Sequence, residues 1–162
     1  MGRTAHRWNY GVGKPPQGNR RAKQQREISL NVVELSDAKI AKYQIEDPVK
    51  RSVEALWLVM IDEINGWWMH DFRALGEDSI ISLNPETGGK LLETSPDGGS
   101  LEWYQVQMIV PKTSLYLVGY MAADWGGPTT SMLKLALEAR GDDSVLIVSD
   151  ALLGNVTENS TQ

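Results

Sequence analysis

A chain of 162 residues, 41% hydrophobic and 23% charged, has the makeup of one globular domain with a core of its own. The absence of cysteine excludes disulfides, thiolate metal sites and thiol nucleophiles, and no apolar run approaches the roughly 18 residues that a membrane span requires. The formal charge of −5 hides an asymmetry: residues 1–26 hold seven basic residues and no acid, which leaves nine basic against 21 acidic residues, or −12, over residues 27–162. A folded part so acidic is expected to bind neither nucleic acid nor a membrane.

The first segment, residues 1–27, combines Arg3, Arg7, Lys14, Arg20, Arg21, Lys23 and Arg26 with glycines and prolines and no apolar periodicity. It offers too little surface to bury against the entropy of ordering, so it reads as a disordered basic arm. A solvated tail, a polyanion-binding extension and an arginine-rich targeting peptide are its three functional readings. No apolar stretch of a secretory signal follows the first arginines, so a cytoplasmic location is expected. The glycosylation sequons at Asn155 and Asn159 then carry no function.

Strand-like alternation begins with Ile28, Leu30 and Val32 and resumes with Ala41, Tyr43 and Ile45 after a break at Ser36-Asp37. Asp47 followed by Pro48 predicts a helix N-cap and first helical position. Val49, Val53, Leu56, Trp57, Met60, Ile61 and Ile64 then keep one apolar stripe, with Lys50 and Glu54 paired on the exposed side. With Gly66 as a left-handed stop, the helix is predicted over residues 48–65, bent near Asp62. Beyond Trp67-Trp68, turn residues punctuate strands predicted at 79–83, 90–94, 101–109, 114–120, 129–138 and 143–152. Short connections between successive strands imply an antiparallel meander with an early helix packed on it, an α+β fold.

The order of these elements, and the residues Asp47-Pro48, Trp67-Trp68, Pro85 to Lys90 with Glu93, Trp103 with Val106, Pro111 with Leu115, Leu135 to Glu138, and Asp150 with Gly154, resemble the START-like (SRPBCC) superfamily. The resemblance is particularly to its branch similar to the C-terminal domain of heat-shock ATPase activators. The resemblance covers about residues 39–156 and implies a helix-grip fold for a domain of residues 28–162: a curved antiparallel sheet and helices enclosing an apolar cavity. It also implies a long C-terminal helix across the sheet. The residues after Leu152 include Gly154, Asn155 and Asn159 and cannot form one, so the domain looks truncated there. The exposed sheet face would then favour a dimer, a protein partner or dye binding.

Within that frame Gly88-Gly89 reads as a hairpin turn, with Lys90 and Glu93 flanking a strand edge. Adjacent indoles on a helix end diverge by about 100°, so one of Trp67 and Trp68 is expected to pack and the other to line the cavity. Trp103, Tyr104, Tyr116 and Tyr120 offer an aromatic wall, and alternation selects Tyr104 with Val106 and Met108 over Trp103 with Gln105 and Gln107. Alternation also places Leu133, Leu135 and Leu137 on one face. The predicted ligand-binding set is therefore Trp67, Trp68, Tyr104, Val106, Met108, Tyr116, Leu133 and Leu135.

Catalytic chemistry is sparse. His70 beside Asp71 reads as a surface pair, no G-x-S-x-G elbow occurs, and the carboxylates fall at helix ends and turns. No catalytic residue, metal or cofactor is expected. The first reading is a binding module for an apolar or aromatic small molecule. The second is a protein-interaction module with a chaperone-type partner, as in heat-shock ATPase activators, and the third a cyclase-like enzyme using the same cavity.

Overall fold

The computed structural model describes residues 35–157. The basic arm, the alternation at Ile28, Leu30 and Val32, and the Asn159 sequon lie outside the described residues. Seven antiparallel strands form one curved sheet in the order β1-β7-β6-β5-β4-β3-β2, with β1 and β2 at its edges. They run β1 Lys39–Val49, β2 Ile80–Leu83, β3 Lys90–Thr94, β4 Ser100–Val110, β5 Ser114–Met121, β6 Thr129–Arg140 and β7 Asp143–Gly154. Helices α1 (Val53–Asp62) and α2 (Ile64–Trp67) make the crossover from one edge strand to the other, with 3-10 turns at His70–Phe72 and Ala123–Trp125. Among the described residues no helix follows β7.

Local chemistry explains the meander. Positive φ is needed at Gly88 between β2 and β3 and at Gly98 between β3 and β4, where a side chain would be strained. The four long strands β4 to β7 follow one another in space, so alternation turns one face of each toward the helices. Leu56, Trp57, Met60 and Ile61 of α1 bury themselves against Val106, Leu115, Leu117 and Leu137 of the sheet. At about 1.5–3 kcal/mol for each fully buried large apolar side chain, this contact holds α1 on the concave face. A second cluster, Ile64, Ile81 and Leu91, fastens α2 to β2 and β3.

The helix starts later than the Asp47-Pro48 signal predicts. Both residues belong to β1, whose pairing with β7 continues to Val49 opposite Ser144. β1 is an edge strand, so a proline there can turn its missing N–H to the free side at no loss of ladder hydrogen bonds. The N-cap is Ser52, whose hydroxyl accepts from Ala55 N at 3.3 Å. Lys50 therefore precedes the helix and does not pair with Glu54, which instead lies 3.9 Å from Lys112. The bend expected near Asp62 is present at Glu63, between α1 and α2. Gly66 sits inside α2 without a positive φ, and the stop comes at Trp68, extended at φ −63°, ψ 124°.

Candidate functional site

Between α1, α2 and the concave sheet face lies a cavity of about 470 Å³. Leu56, Val59, Met60, Ile64, Trp67 and Trp68 line its helical side. Leu91, Tyr104, Leu115, Leu117, Leu133, Leu135, Leu146 and Val148 line the sheet side, and Tyr43, Asp47 and Val49 border it from β1. The volume is in the range of small-molecule sites, and the walls are apolar apart from a few polar tips.

Of the predicted binding residues, Trp67, Trp68, Tyr104, Leu133 and Leu135 border this cavity. Both indoles do so, against the expectation of one. The reason is that α2 ends at Trp67 and Trp68 is extended, so the helical increment does not separate them. Their ring centroids are 6.2 Å apart, and Trp67 Nε1 donates to Val59 O at 3.0 Å. Val106 does not line the cavity but is buried in the core with Leu56, Trp57, Met60 and Ile61, 1% exposed.

Met108 and Tyr116 are corrections, because both face away from the helices. Val106 pairs with Leu117 and Met108 with Tyr116, so Gln107 is an extra residue, a bulge that reverses the alternation of β4. Ile109 takes the inward position instead and packs on the core, whereas Tyr116 lies under the Lys134 ammonium at 5.3 Å on the outer face. A second shift leaves Trp103 between the pairs Leu91–Tyr104 and Leu92–Glu102. Trp103 and Tyr104 therefore both pack on the Ile64, Ile81, Leu91 cluster rather than on opposite faces. Tyr120 is 73% exposed and contributes no wall.

Gly119 makes the position of Tyr104 possible. A Cβ there would lie 2.5 Å from the Trp103 carbonyl oxygen and 3.0 Å from two carbons of the Tyr104 ring. The ring lies across β5 only because that residue has no side chain.

Two polar arrangements flank the cavity, and neither was read from the sequence. At the end nearest β2, Glu93 is completely buried rather than at a strand edge. Its carboxylate accepts from Ala74 N at 3.0 Å, Leu75 N at 2.8 Å, Ser79 Oγ at 2.6 Å and Trp103 Nε1 at 2.9 Å. Burial pushes its pKa up, but the four hydrogen bonds outweigh burial and hold it below the ordinary glutamate value. Trp103 in turn meets Trp68 at 5.7 Å between centroids, so this anchor supports the cavity wall from behind. Arg73 bonds the Ser79 carbonyl, and its Nη2 donates to Asn65 O and Oδ1 at 3.1 Å, tying the same loop to α2.

At the other end, Asp150 of β7 is 7% exposed. Ser131 Oγ is 2.9 Å from each carboxylate oxygen, the Tyr43 hydroxyl donates to one of them at 3.4 Å, and the Tyr104 hydroxyl lies 3.2 Å from Ser131 Oγ. Burial raises the Tyr43 pKa, and the Asp150 charge raises it further. Burial likewise raises that of Tyr104, with Asp150 adding to it and the Ser131 hydrogen bond opposing it. Both phenols thus keep their protons at neutral pH. The inward alternation of Leu146, Val148 and Asp150 was the signal available in the sequence.

His70 and Asp71 are exposed, and among the described residues no three His, Asp or Glu side chains converge as metal ligands. Among the described residues no helix is long and apolar enough to cross a membrane.

No family model and no curated protein sequence matches this chain. Solved structures do. The Mll3558 protein of Rhizobium loti is 19% identical, with 78% of this chain and 89% of that one covered at a TM-score of 0.59. Ara h 8.0201, a Bet v 1-like protein, is 14% identical over 76% of this chain and 87% of its own, with a TM-score of 0.57. A Rhizobium leguminosarum protein is 15% identical over 77% and 86%, with a TM-score of 0.56. The fold is the α+β helix-grip of the START/Bet v 1-like type.

Proposed function

We propose that this chain binds an apolar, ring-containing small molecule between α1, α2 and the sheet. One observation carries the reading: a cavity of about 470 Å³ whose lining is leucines, valines and aromatic rings, with few polar tips. Covering about 200 Å² of apolar ligand surface is worth roughly 5 kcal/mol, enough for submillimolar binding without any covalent or ionic anchor. Trp67 and Trp68 on the wall make their own fluorescence the reporter. Titration with naphthalene is expected to quench it saturably at one site per chain, and native mass spectrometry is expected to retain a small-molecule mass. Absence of saturable binding by naphthalene and by its simple derivatives overturns the reading.

A protein-interaction module like the heat-shock ATPase activators is the second reading. Its support is that among the described residues no strand pairs with the outer edge of β1, where Ile40 is 66% and Ile45 57% exposed. Unpaired strand edges of this kind accept another chain.

A further inference from the structure

Hydrogen-bond polarity in the Asp150 cluster limits what the cavity can hold, on the reading that it binds a small molecule. A carboxylate oxygen only accepts, and Ser131 has one proton, which is directed to Asp150 at 2.9 Å. The contact between Tyr104 and Ser131 at 3.2 Å must then be donated by the tyrosine. Tyr43 likewise spends its proton on Asp150, at 3.4 Å. The relay therefore runs one way, from Tyr104 through Ser131 to Asp150, with Tyr43 joining from β1. Raised pKa values keep both phenolic protons in place. Tyr43 and Tyr104 border the cavity, and because their protons are directed to Asp150 and Ser131, a group that reaches either oxygen meets lone pairs.

We propose that this end of the cavity is a subsite for a hydrogen-bond donor: the ligand is an apolar ring molecule bearing a neutral hydroxyl or N–H that donates to Tyr104 or Tyr43. A ligand whose polar atom only accepts meets oxygen against oxygen there and gains no hydrogen bond from the tyrosines. The neighbouring walls, Leu133, Leu135 and Val148, offer that acceptor no alternative donor. A phenolic, indolic or alcohol-bearing ring molecule fits this pattern, and its ether or ester does not.

The test compares 2-naphthol with 2-methoxynaphthalene, which share ring and oxygen and differ in the donated proton. By calorimetry or tryptophan quenching on the full chain, 2-naphthol is expected to bind about tenfold more tightly, the worth of one good hydrogen bond. Asp150→Asn keeps an oxygen that accepts from Ser131 and turns an amide N–H to the Tyr43 oxygen, freeing the Tyr43 proton to turn toward the cavity and serve an acceptor, so the ratio is expected to fall to near one. Tyr104→Phe, which deletes an acceptor without changing charge, is expected to lower 2-naphthol affinity and leave 2-methoxynaphthalene affinity as it was. Equal wild-type affinities for the two probes, or a preference that both variants retain, overturns the donor rule while the cavity reading stands. Binding of neither probe, nor of naphthalene, overturns the cavity reading and this rule with it.

Discussion

Glu93 and Asp150 are both carboxylates buried in one sheet, on β3 and β7, yet the polarity of their partners differs in kind. Three of the four donors to Glu93 are N–H groups, from Ala74, Leu75 and Trp103, and these can never accept. Every side-chain donor around Asp150 is a hydroxyl, from Ser131 and Tyr43 with Tyr104 behind, held toward the carboxylate while its charge is there but able to turn its proton once that acceptor is replaced. The first arrangement is a fixed anchor that holds the 73–79 loop and, through Trp103, the indole wall. The second is a reversible network at the cavity's margin. Burial alone does not tell these two kinds of acid apart, whereas the reversibility of their partners does.

Glu93→Gln tests the anchor and carries the largest expected effect. A glutamine keeps one oxygen, and its amide donors then face N–H groups that have nowhere to turn. Breaking a buried, hydrogen-bonded charge of this sort costs roughly 3–5 kcal/mol, so the denaturant midpoint should fall steeply in a chemical unfolding titration. The wild-type acid profile follows from the same group. Its folded pKa lies below the ordinary glutamate value, so its stabilisation is complete at neutral pH and is lost as pH falls below about 4.3 and on through the folded value. Glu93→Gln should flatten that part of the stability-against-pH curve, and an unchanged slope would remove Glu93 from the account.

Trp68 links the two regions, since its ring borders the cavity and leans on Trp103. Truncation to alanine should cost about 3 kcal/mol and enlarge the cavity. Its buried indole nitrogen has no hydrogen-bond partner among the described residues, so Trp68→Phe forfeits area alone and should cost about 1 kcal/mol or less. If the phenylalanine variant were as damaged as the alanine one, that nitrogen would have a partner after all. Gly119→Ala comes next, at about 2 kcal/mol, because the added carbon meets the Trp103 carbonyl and the Tyr104 ring and something must shift. Its distinguishing sign is a change in the near-ultraviolet dichroism of the displaced tyrosine.

How much of this was legible follows from where the chain obeys simple periods. Leu133 and Leu135 of β6 alternate without interruption, and reading every second residue places them on the cavity wall. β4 carries a bulge at each side of its Tyr104–Val106 stretch, and one skipped residue was enough to send Met108 to the outer face, where its partner Tyr116 already stands by alternation with the inward Leu115 and Leu117. Nothing at Trp103 or Gln107 signals a bulge, because the extra residue is set by pairing with distant strands. Asp47-Pro48 failed for a related reason: the same dipeptide suits a helix start and an edge strand, and only the pairing with β7 decides. Glu93 and Asp150 stood at inward positions of their strands, two residues beyond Leu91 and Val148. Their burial depends on partners 10 to 19 residues away in sequence, and 107 for Tyr43, which periodicity does not see.

Asp150→Asn is the smallest expected stability effect and the sharpest test of the contrast. The substitution is nearly isosteric, so packing at this 7% exposed site is kept. One amide oxygen can still accept from Ser131. The amide nitrogen replaces an acceptor with a donor, which at Glu93 would leave N–H facing N–H; here it meets the Tyr43 or Ser131 oxygen, and a hydroxyl rotates its proton away at little cost. The loss in a chemical unfolding titration should be under about 1 kcal/mol, the worth of exchanging a charged hydrogen bond for a neutral one. A loss as large as that of Glu93→Gln would mean that the hydroxyls are locked. The two carboxylates would then be anchors of one kind, and the ligand-facing role of Asp150 would fall with the difference between them.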